Sequence, residues 1–294
     1  MTTCGRSSVR SEREILAGTF AIGGDLPVMR LGYGSMQLTG PGVWGEPRDH
    51  DEAIRVLRRA VELGITLIDT ADSYGPGVAE RLIRQALHPY PDDLVVATKA
   101  GMTRAGPGQW DTNGRPEYLK GQAEKSLSLL GLERIELFQL HRVDPAVPLA
   151  EQIGALVELK LAGKIGHIGL SEVSVSTIEE ARAITPIVTV QNQYNISHRN
   201  SENVLEFCER EGIGFIPWFP MATGRLAQPG GPLDRVASQC KATPAQVALA
   251  WLLQHSPVLL PIPGTSRVAH LEENTAAATI TLAPEQVAWL DAAI

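Results

Sequence analysis

From Leu31 to the C-terminus, short apolar runs alternate with segments whose apolar residues recur at helical spacing. The runs Leu31–Met36, Thr66–Thr70, Leu94–Lys99, Ile135–His141, His167–Ser171, Ile187–Gln193, Gly214–Phe219 and Val258–Ile262 are predicted as strands. Helices are predicted over Asp51–Leu63, Ala79–Leu87, Pro116–Leu130, Leu149–Ala162, Thr177–Ile184, Ser201–Glu211 and Thr243–Gln254. Another begins near Arg267, and Pro284–Ala293 makes a terminal one. Gly64, Gly131, Gly163 and Gly212 each follow a helical period, where a left-handed cap favours glycine. Thr243 and Gln246, with Pro244 at the first helical position, form a capping box. Upstream, Ile15–Met29 reads as a hairpin turning at Gly23-Gly24-Asp25, preceded by a polar tail over residues 1–13.

Eight strands, each followed by a helix and apolar enough to be covered on both faces, predict a parallel α/β arrangement. Eight such units suit a closed (β/α)8 TIM barrel, here with an N-terminal β-hairpin and an extra C-terminal helix. No linker or low-complexity segment divides the chain, so one domain over residues 1–294 is expected. Hydrophobic residues at 44% and charged residues at 20% allow a large core and exclude disorder. The 33 acidic against 26 basic side chains give −7 with no basic cluster, which argues against nucleic acid or an anionic membrane as partner. The longest apolar runs, such as Val247–Leu253, fall far below the roughly 20 residues of a membrane span. The polar N-terminus lacks a signal-peptide pattern, so a cytoplasmic protein is expected. Cys4, Cys208 and Cys240 are dispersed in no metal spacing, so neither a disulfide framework nor a metal site is expected.

In such a barrel reactive groups project from the C-terminal strand ends. Strand two ends at Asp69, with Tyr74 in the loop beyond; strand three ends at Lys99 and strand four at His141. Lys99 is one of only six lysines, and the other five sit in helical or polar segments. An ammonium closing an inward strand is costly without a carboxylate, and Asp69 on the neighbouring strand is the obvious partner. A structural ion pair, a packed tyrosine and a rim histidine would each be ordinary alone; their convergence on one mouth points to chemistry. A phenol is a weak acid, with a pKa of about 10. A nearby ammonium lowers that value, so Lys99 is expected to tune Tyr74 into a general acid. His141 can donate to the same developing oxyanion. The set suits protonation of a carbonyl oxygen while a cofactor delivers hydride to carbon.

These residues resemble the Asp-Tyr-Lys-His tetrad of the aldo-keto reductases, and the resemblance runs from about Ile15 to Ile294. Leu31 to Met36, Gly166 to Ser171, Val190 to Asn195, and Pro261 to Arg267 leading to Glu273 and Asn274 match in order. The resemblance implies reduction of an aldehyde or ketone with NADPH, favoured over NADH, and a small-molecule carbonyl substrate. It implies that Ser171 and Gln191 hold the nicotinamide carboxamide and that Trp218 stacks on the ring. Phe219, Pro220, Met221, Gly224 and Leu226 would meet the pyrophosphate, with Thr70 near the cofactor. Thr265, Ser266 and Arg267 would meet the 2′-phosphate, and Glu273 and Asn274 the adenine, with Gly264, which replaces a frequent Lys, also counted among the cofactor-binding residues. Glu172 stands where many members have Asn, and His270 where many NADPH-binding members have Arg. With no segment beyond the terminal helix to cover the substrate, Met36, Trp44, Met102, Trp110 and Phe219 would form the pocket wall. Two other activities stay open: Lys99 as a Schiff-base amine, and a nucleotide-binding regulatory or redox-sensing barrel with little turnover.

Overall fold

Period-two alternation along the strands sorts the apolar side chains into two layers. The computed structural model describes residues 17–221 and 230–293. Its parallel sheet runs in the order β3 (Tyr33–Gly34), β4 (Leu67–Asp69), β5 (Val95–Ala100), β8 (Ile135–Leu140), β9 (Ile165–Ser171), β10 (Thr189–Gln191), β11 (Gly214–Phe215). Inward-facing Leu67, Val95, Ala97 and Leu137 cluster with Ile216, Leu260 and Ile262 inside the barrel. Their outward neighbours Ile68, Val96, Phe138, Ile168 and Val190 belong to the larger core beneath the helices. Alternation therefore aims the next inward positions, Asp69, Lys99, Gln139, Ser171 and Gln191, into the mouth.

The eighth expected strand, Val258–Ile262, forms no ladder. It closes the (β/α)8 barrel by single contacts: Phe215 N donates to Val258 O and Leu260 N to Phe215 O, each at 2.8 Å, and Gly32 N donates to Pro261 O at 2.9 Å. Parallel bridges Phe215–Leu259 and Gly34–Gly264 complete the ring. Pro261 and Pro263 lack the amide protons that a ladder needs.

The hairpin β1 (Thr19–Ile22) and β2 (Leu26–Met29) pairs antiparallel through Ile22–Leu26. Its Ile22 and Val28 plug the inner cluster from the N-terminal end, and Asp25 reaches His167 of β9 at 2.9 Å. The start of the expected hairpin, Ile15 to Leu16, lies outside the described residues.

Helices cover the barrel at His50–Glu62, Val78–Leu87, Pro116–Leu130, Leu149–Leu161, Val175–Arg182, Glu202–Glu211, Pro244–His255 and Val268–Ala276, with Pro284–Ala293 as the terminal one. Gly64, Gly131, Gly163 and Gly212 all take φ between 67° and 86° after their helices. Thr243 and Gln246 form the expected capping box. The fifth helix begins two residues early because Ser174 caps it, accepting from Thr177 N.

Two elements were not visible in the pattern. A second hairpin, β6 (Met102–Gly106) and β7 (Gln109–Thr112), leaves the end of β5. Its polar, glycine-containing sequence has no apolar alternation because it packs on loops. A nine-residue helix, Pro232–Cys240, buries only Leu233, Val236 and Ala237, too few positions to register as a period. The expected first and seventh strands shrink to two residues each, and Met36–Leu38 turns as a 3-10 helix. Among the described residues no helix is long and apolar enough to cross a membrane.

Closure of the ring depends on Arg30, whose guanidinium donates to Leu253 O and Ser256 O at 2.7 Å and to Leu259 O at 3.3 Å. It caps the carbonyl end of the helix Pro244–His255 while gripping the closing segment. Replacing Arg30 with Met keeps much of the stem packing but strands those carbonyls. We expect a loss of about 2–4 kcal/mol in guanidinium unfolding, with the m-value unchanged.

Candidate active site

The mouth is organised around an ion pair with almost no solvent exposure. Lys99, 0% exposed, places Nζ 2.7 Å from Asp69 Oδ2, itself 2% exposed, and 2.8 Å from Thr70 O. Asp69 Oδ1 accepts from Gln191 Nε2 at 2.8 Å and from Gln139 Nε2 at 3.4 Å. Gln139 in turn accepts from Thr189 Oγ1 at 3.3 Å. The carboxylate is thus held by side chains of three other strands; burial is the largest influence on Lys99 and lowers its pKa, but Asp69 and Tyr74 together raise it, and the net shift is upward.

Tyr74 lies across this pair, with Lys99 Nζ 5.2 Å from the ring centroid. Here the expected tuning is corrected. Burial is the largest influence on the phenol and raises its pKa; Lys99 lowers it, Asp69 raises it again, and the net shift is upward. The ammonium limits the rise but does not reverse it, because burial outweighs it and Asp69 offsets part of its field. Tyr74 is fully protonated at neutral pH.

His141 meets Tyr74 edge-on, with centroids 6.1 Å apart, and its Nδ1 lies 3.4 Å from Ser73 Oγ. Burial, then the charges of Lys99 and Arg142, hold its pKa well below the ordinary 6.5. The imidazole is neutral, with one nitrogen able to donate.

On the next strand end, Ser171 Oγ accepts from Arg142 Nη1 at 2.9 Å, and the same nitrogen donates to His141 O at 2.7 Å. Arg142 was not singled out from the sequence; it directly follows His141, and only the turn after β8 brings it to Ser171. Glu172 follows at φ 55° and accepts from Trp218 Nε1 at 2.5 Å and Gln193 N at 2.6 Å. Trp218 is therefore fixed by a carboxylate. The segment after β10 supports the same wall: Asn192 holds Val173 through N–H and C=O, and Asn195 Nδ2 donates to Phe219 O at 2.9 Å. Phe219, at φ 58° and exposed, meets Trp218 edge-on.

Near the closing segment, Thr265 is buried, its Oγ1 accepting from Arg267 N and its carbonyl from Tyr33 Oη at 2.6 Å. Gly264 lies so close to Gly34 that a Cβ there would stand 2.9 Å from Gly34 O. Ser266 and Arg267 are exposed at the start of the helix Val268–Ala276. The leading amide, Val268 N, is already bound by Glu52 Oε1 at 2.9 Å. Glu273 faces Thr243, accepting from its hydroxyl at 2.7 Å, and Asn274 is buried one residue on. Pro220 is buried and Met221 half-buried, while Gly224 and Leu226 lie outside the described residues.

Of the expected pocket wall, the structure brings Trp44 and Trp110 together on either side of Arg104, at 5.7 and 3.6 Å from its guanidinium. Trp110 also meets His141 edge-on at 6.4 Å. Met36 opens the 3-10 turn after β3 and Met102 begins β6. Val43, Glu172 and Phe219, all non-glycine residues with positive φ, cluster around this mouth. Each left-handed conformation costs about 1–3 kcal/mol, which the surrounding bonds must hold in place.

Comparison with known proteins agrees with this geometry. A profile of the Aldo/keto reductase family matches residues 30–294. An uncharacterized oxidoreductase of Schizosaccharomyces pombe is 50% identical over 94% of this chain and 89% of its own. Pyridoxine 4-dehydrogenase of Escherichia coli is 44% identical, covering 94% of this chain and 98% of that protein. An aldo/keto reductase of Klebsiella pneumoniae, crystallised with NADP and acetate, superposes with a TM-score of 0.79 at 25% identity, over 93% and 94% of the two chains. The tetrad geometry, the barrel and these similarities converge: the chain belongs to the aldo/keto reductase family.

Proposed function

We propose that this protein reduces an aldehyde or ketone to an alcohol with NADPH, and that Tyr74 donates the proton. The observation that carries the proposal is the buried Lys99–Asp69 pair set against a protonated phenol and a neutral imidazole. The Klebsiella relative crystallised with NADP supports the cofactor.

The donor set fits a nicotinamide carboxamide. Ser171 Oγ accepts from Arg142 and so has its own proton to give to the carboxamide oxygen. Gln191 donates its N–H to Asp69 and so turns its Oε1 to accept from the carboxamide nitrogen. Thr70 Oγ1 is buried without a hydrogen-bond partner among the described residues, as a hydroxyl awaiting a ligand would be. Trp218, its indole held by Glu172, offers a flat face for the ring. Ser266 and Arg267 suit a 2′-phosphate, the guanidinium bidentately. Val268 N is engaged by Glu52, so these side chains rather than the helix amide would carry that contact.

When bound, NADPH supplies the hydride for the carbonyl carbon. Tyr74 gives the phenolic proton to the carbonyl oxygen as negative charge develops there. Lys99, charged and fixed by Asp69, stabilises the phenolate left behind. His141 donates one N–H to the same oxygen and orients the carbonyl. A Schiff-base role for Lys99 is disfavoured, because its raised pKa keeps the amine protonated.

Substitution of Tyr74 by Phe tests the acid. We expect kcat to fall about 10²–10⁴-fold against a panel of aldehydes, with NADPH affinity by fluorescence titration changed little. Pyridoxine with NADP belongs in that panel for the reverse direction, given the Escherichia coli relative's name. Near-zero turnover of the unsubstituted protein on every compound, with tight NADPH retention, would instead indicate a regulatory barrel.

His141 gives a pH test of its own. Its folded pKa lies below the unfolded value of about 6.5, so its contribution to stability is complete above that pH and is lost as the pH falls further. Unfolding in urea should therefore show the stability difference between the parent protein and His141→Gln shifting against the parent from pH 8 to pH 5. Reduction rate should show no ionisation between pH 6 and 8, and should decline only on the alkaline side, beyond the ordinary tyrosine range, as Tyr74 loses its proton.

A further inference from the structure

A cation at the rim of a substrate pocket ordinarily invites an anionic substrate group. Arg104 stands there, on the hairpin β6–β7, stacked on Trp110 with its guanidinium 3.6 Å from the ring centroid. A guanidinium has five N–H donors. In Arg104 all five are engaged, and each acceptor is a backbone carbonyl: Nε to Gln109 O at 2.9 Å, Nη1 to Val43 O at 2.9 Å and Ser73 O at 3.0 Å, Nη2 to Gly42 O at 2.7 Å and Gly106 O at 3.4 Å.

Those carbonyls belong to three separate loops. Gln109 and Gly106 lie on the hairpin itself, Gly42 and Val43 on the loop after β3, and Ser73 directly before Tyr74. Val43 is a β-branched residue held at φ 56°, and its carbonyl accepts from both Arg104 and Gly75 N. The contact is close: Gly108 N donates to Gly42 O at 3.0 Å, and a Cβ on Gly42 would stand 3.0 Å from Gly108 N. Trp44 joins the loop after β3 to the Tyr74 loop through its bridge to Gly75. Ser73, the third anchor, also lies 3.4 Å from His141 through its hydroxyl.

We propose that Arg104 is a positioning residue that ties the three loops together, holds Trp110 against His141, and gives the substrate pocket an aromatic wall for flat, uncharged rings rather than an anion receptor. The substrate half rests on the reductase activity proposed above; the tie does not. With every donor committed to a carbonyl, the guanidinium has none left for a carboxylate or phosphate, while Trp110, 37% exposed, meets His141 edge-on at the mouth. Lysine cannot replace it, since an ammonium offers three donors from one point and no flat face to stack.

The test uses the full chain and its Arg104→Met and Arg104→Lys variants with benzaldehyde, 4-carboxybenzaldehyde and propanal. Hydrogen exchange over residues 102–112 should accelerate by about tenfold or more in both variants, with exchange of the barrel strands unchanged. KM for the two aromatic aldehydes should rise together by about tenfold, kcat should change little, propanal should shift by less than about threefold, and NADPH affinity should be unaffected. Unaltered exchange over 102–112 overturns the tie. A penalty for 4-carboxybenzaldehyde much larger than for benzaldehyde, restored by Lys, overturns the wall and makes Arg104 an anion receptor. An equal rise in KM for propanal also overturns the wall. If the parent protein turns over none of the three aldehydes, the reductase activity and the substrate half of the proposal fall together, and the exchange measurement alone decides the tie.

Discussion

A charged lysine with no solvent exposure must be answered by its surroundings, and in this barrel the answer organises the mouth. Asp69 pairs with Lys99, and the demand passes outward: the carboxylate's second oxygen is met by Gln191 and Gln139, and Gln139 by Thr189. Replacing one partner alone would leave a buried charge uncompensated, typically a loss of about 3–5 kcal/mol. The pair therefore constrains the inward residues of β4, β5, β8 and β10 at once. It also sets the electrostatic conditions for its neighbours: burial keeps His141 neutral and Tyr74 protonated, and the Lys99 charge reinforces the first effect while opposing the second.

The net effect on Tyr74 shows how magnitudes decide between competing causes. Considered alone, an ammonium near a phenol acidifies it. The phenol is out of water, and burial is the largest influence on it; Lys99 opposes that and Asp69 offsets part of the opposition, so burial prevails. The lysine's contribution then lies in stabilising the phenolate once a proton has left, rather than in removing the proton beforehand. Stabilisation that appears only as charge develops is the kind that accelerates a reaction.

Around this rigid centre the walls are built differently. The side proposed for the nicotinamide is lined by strand ends and by Trp218, whose indole is anchored by Glu172. The side proposed for the substrate is made of loops, and loops need cross-links to keep a shape. Arg104 supplies three of them, and the left-handed backbone of Val43 is held where two of those loops meet.

The strand-helix alternation, the capping box at Thr243, the glycine caps and the three strand ends Asp69, Lys99 and His141 were legible in the sequence because each depends on local periodicity or on a few adjacent residues. Period-two alternation even determines that Asp69 and Lys99 point inward, whereas Tyr74 lies in a loop that no alternation reaches. Other features came only from the tertiary structure. Val258–Ile262 looked like a strand, but its prolines leave it to close the ring by single bridges, a fact that depends on what lies beside it. The hairpin at Met102–Thr112 carries no apolar pattern because loops rather than a core stabilise it. Arg104 and Arg142 read as ordinary surface cations, since a guanidinium's role is decided by carbonyls and hydroxyls up to 62 residues away in the chain. The direction of the Tyr74 shift likewise depended on three-dimensional burial, which no spacing of residues encodes.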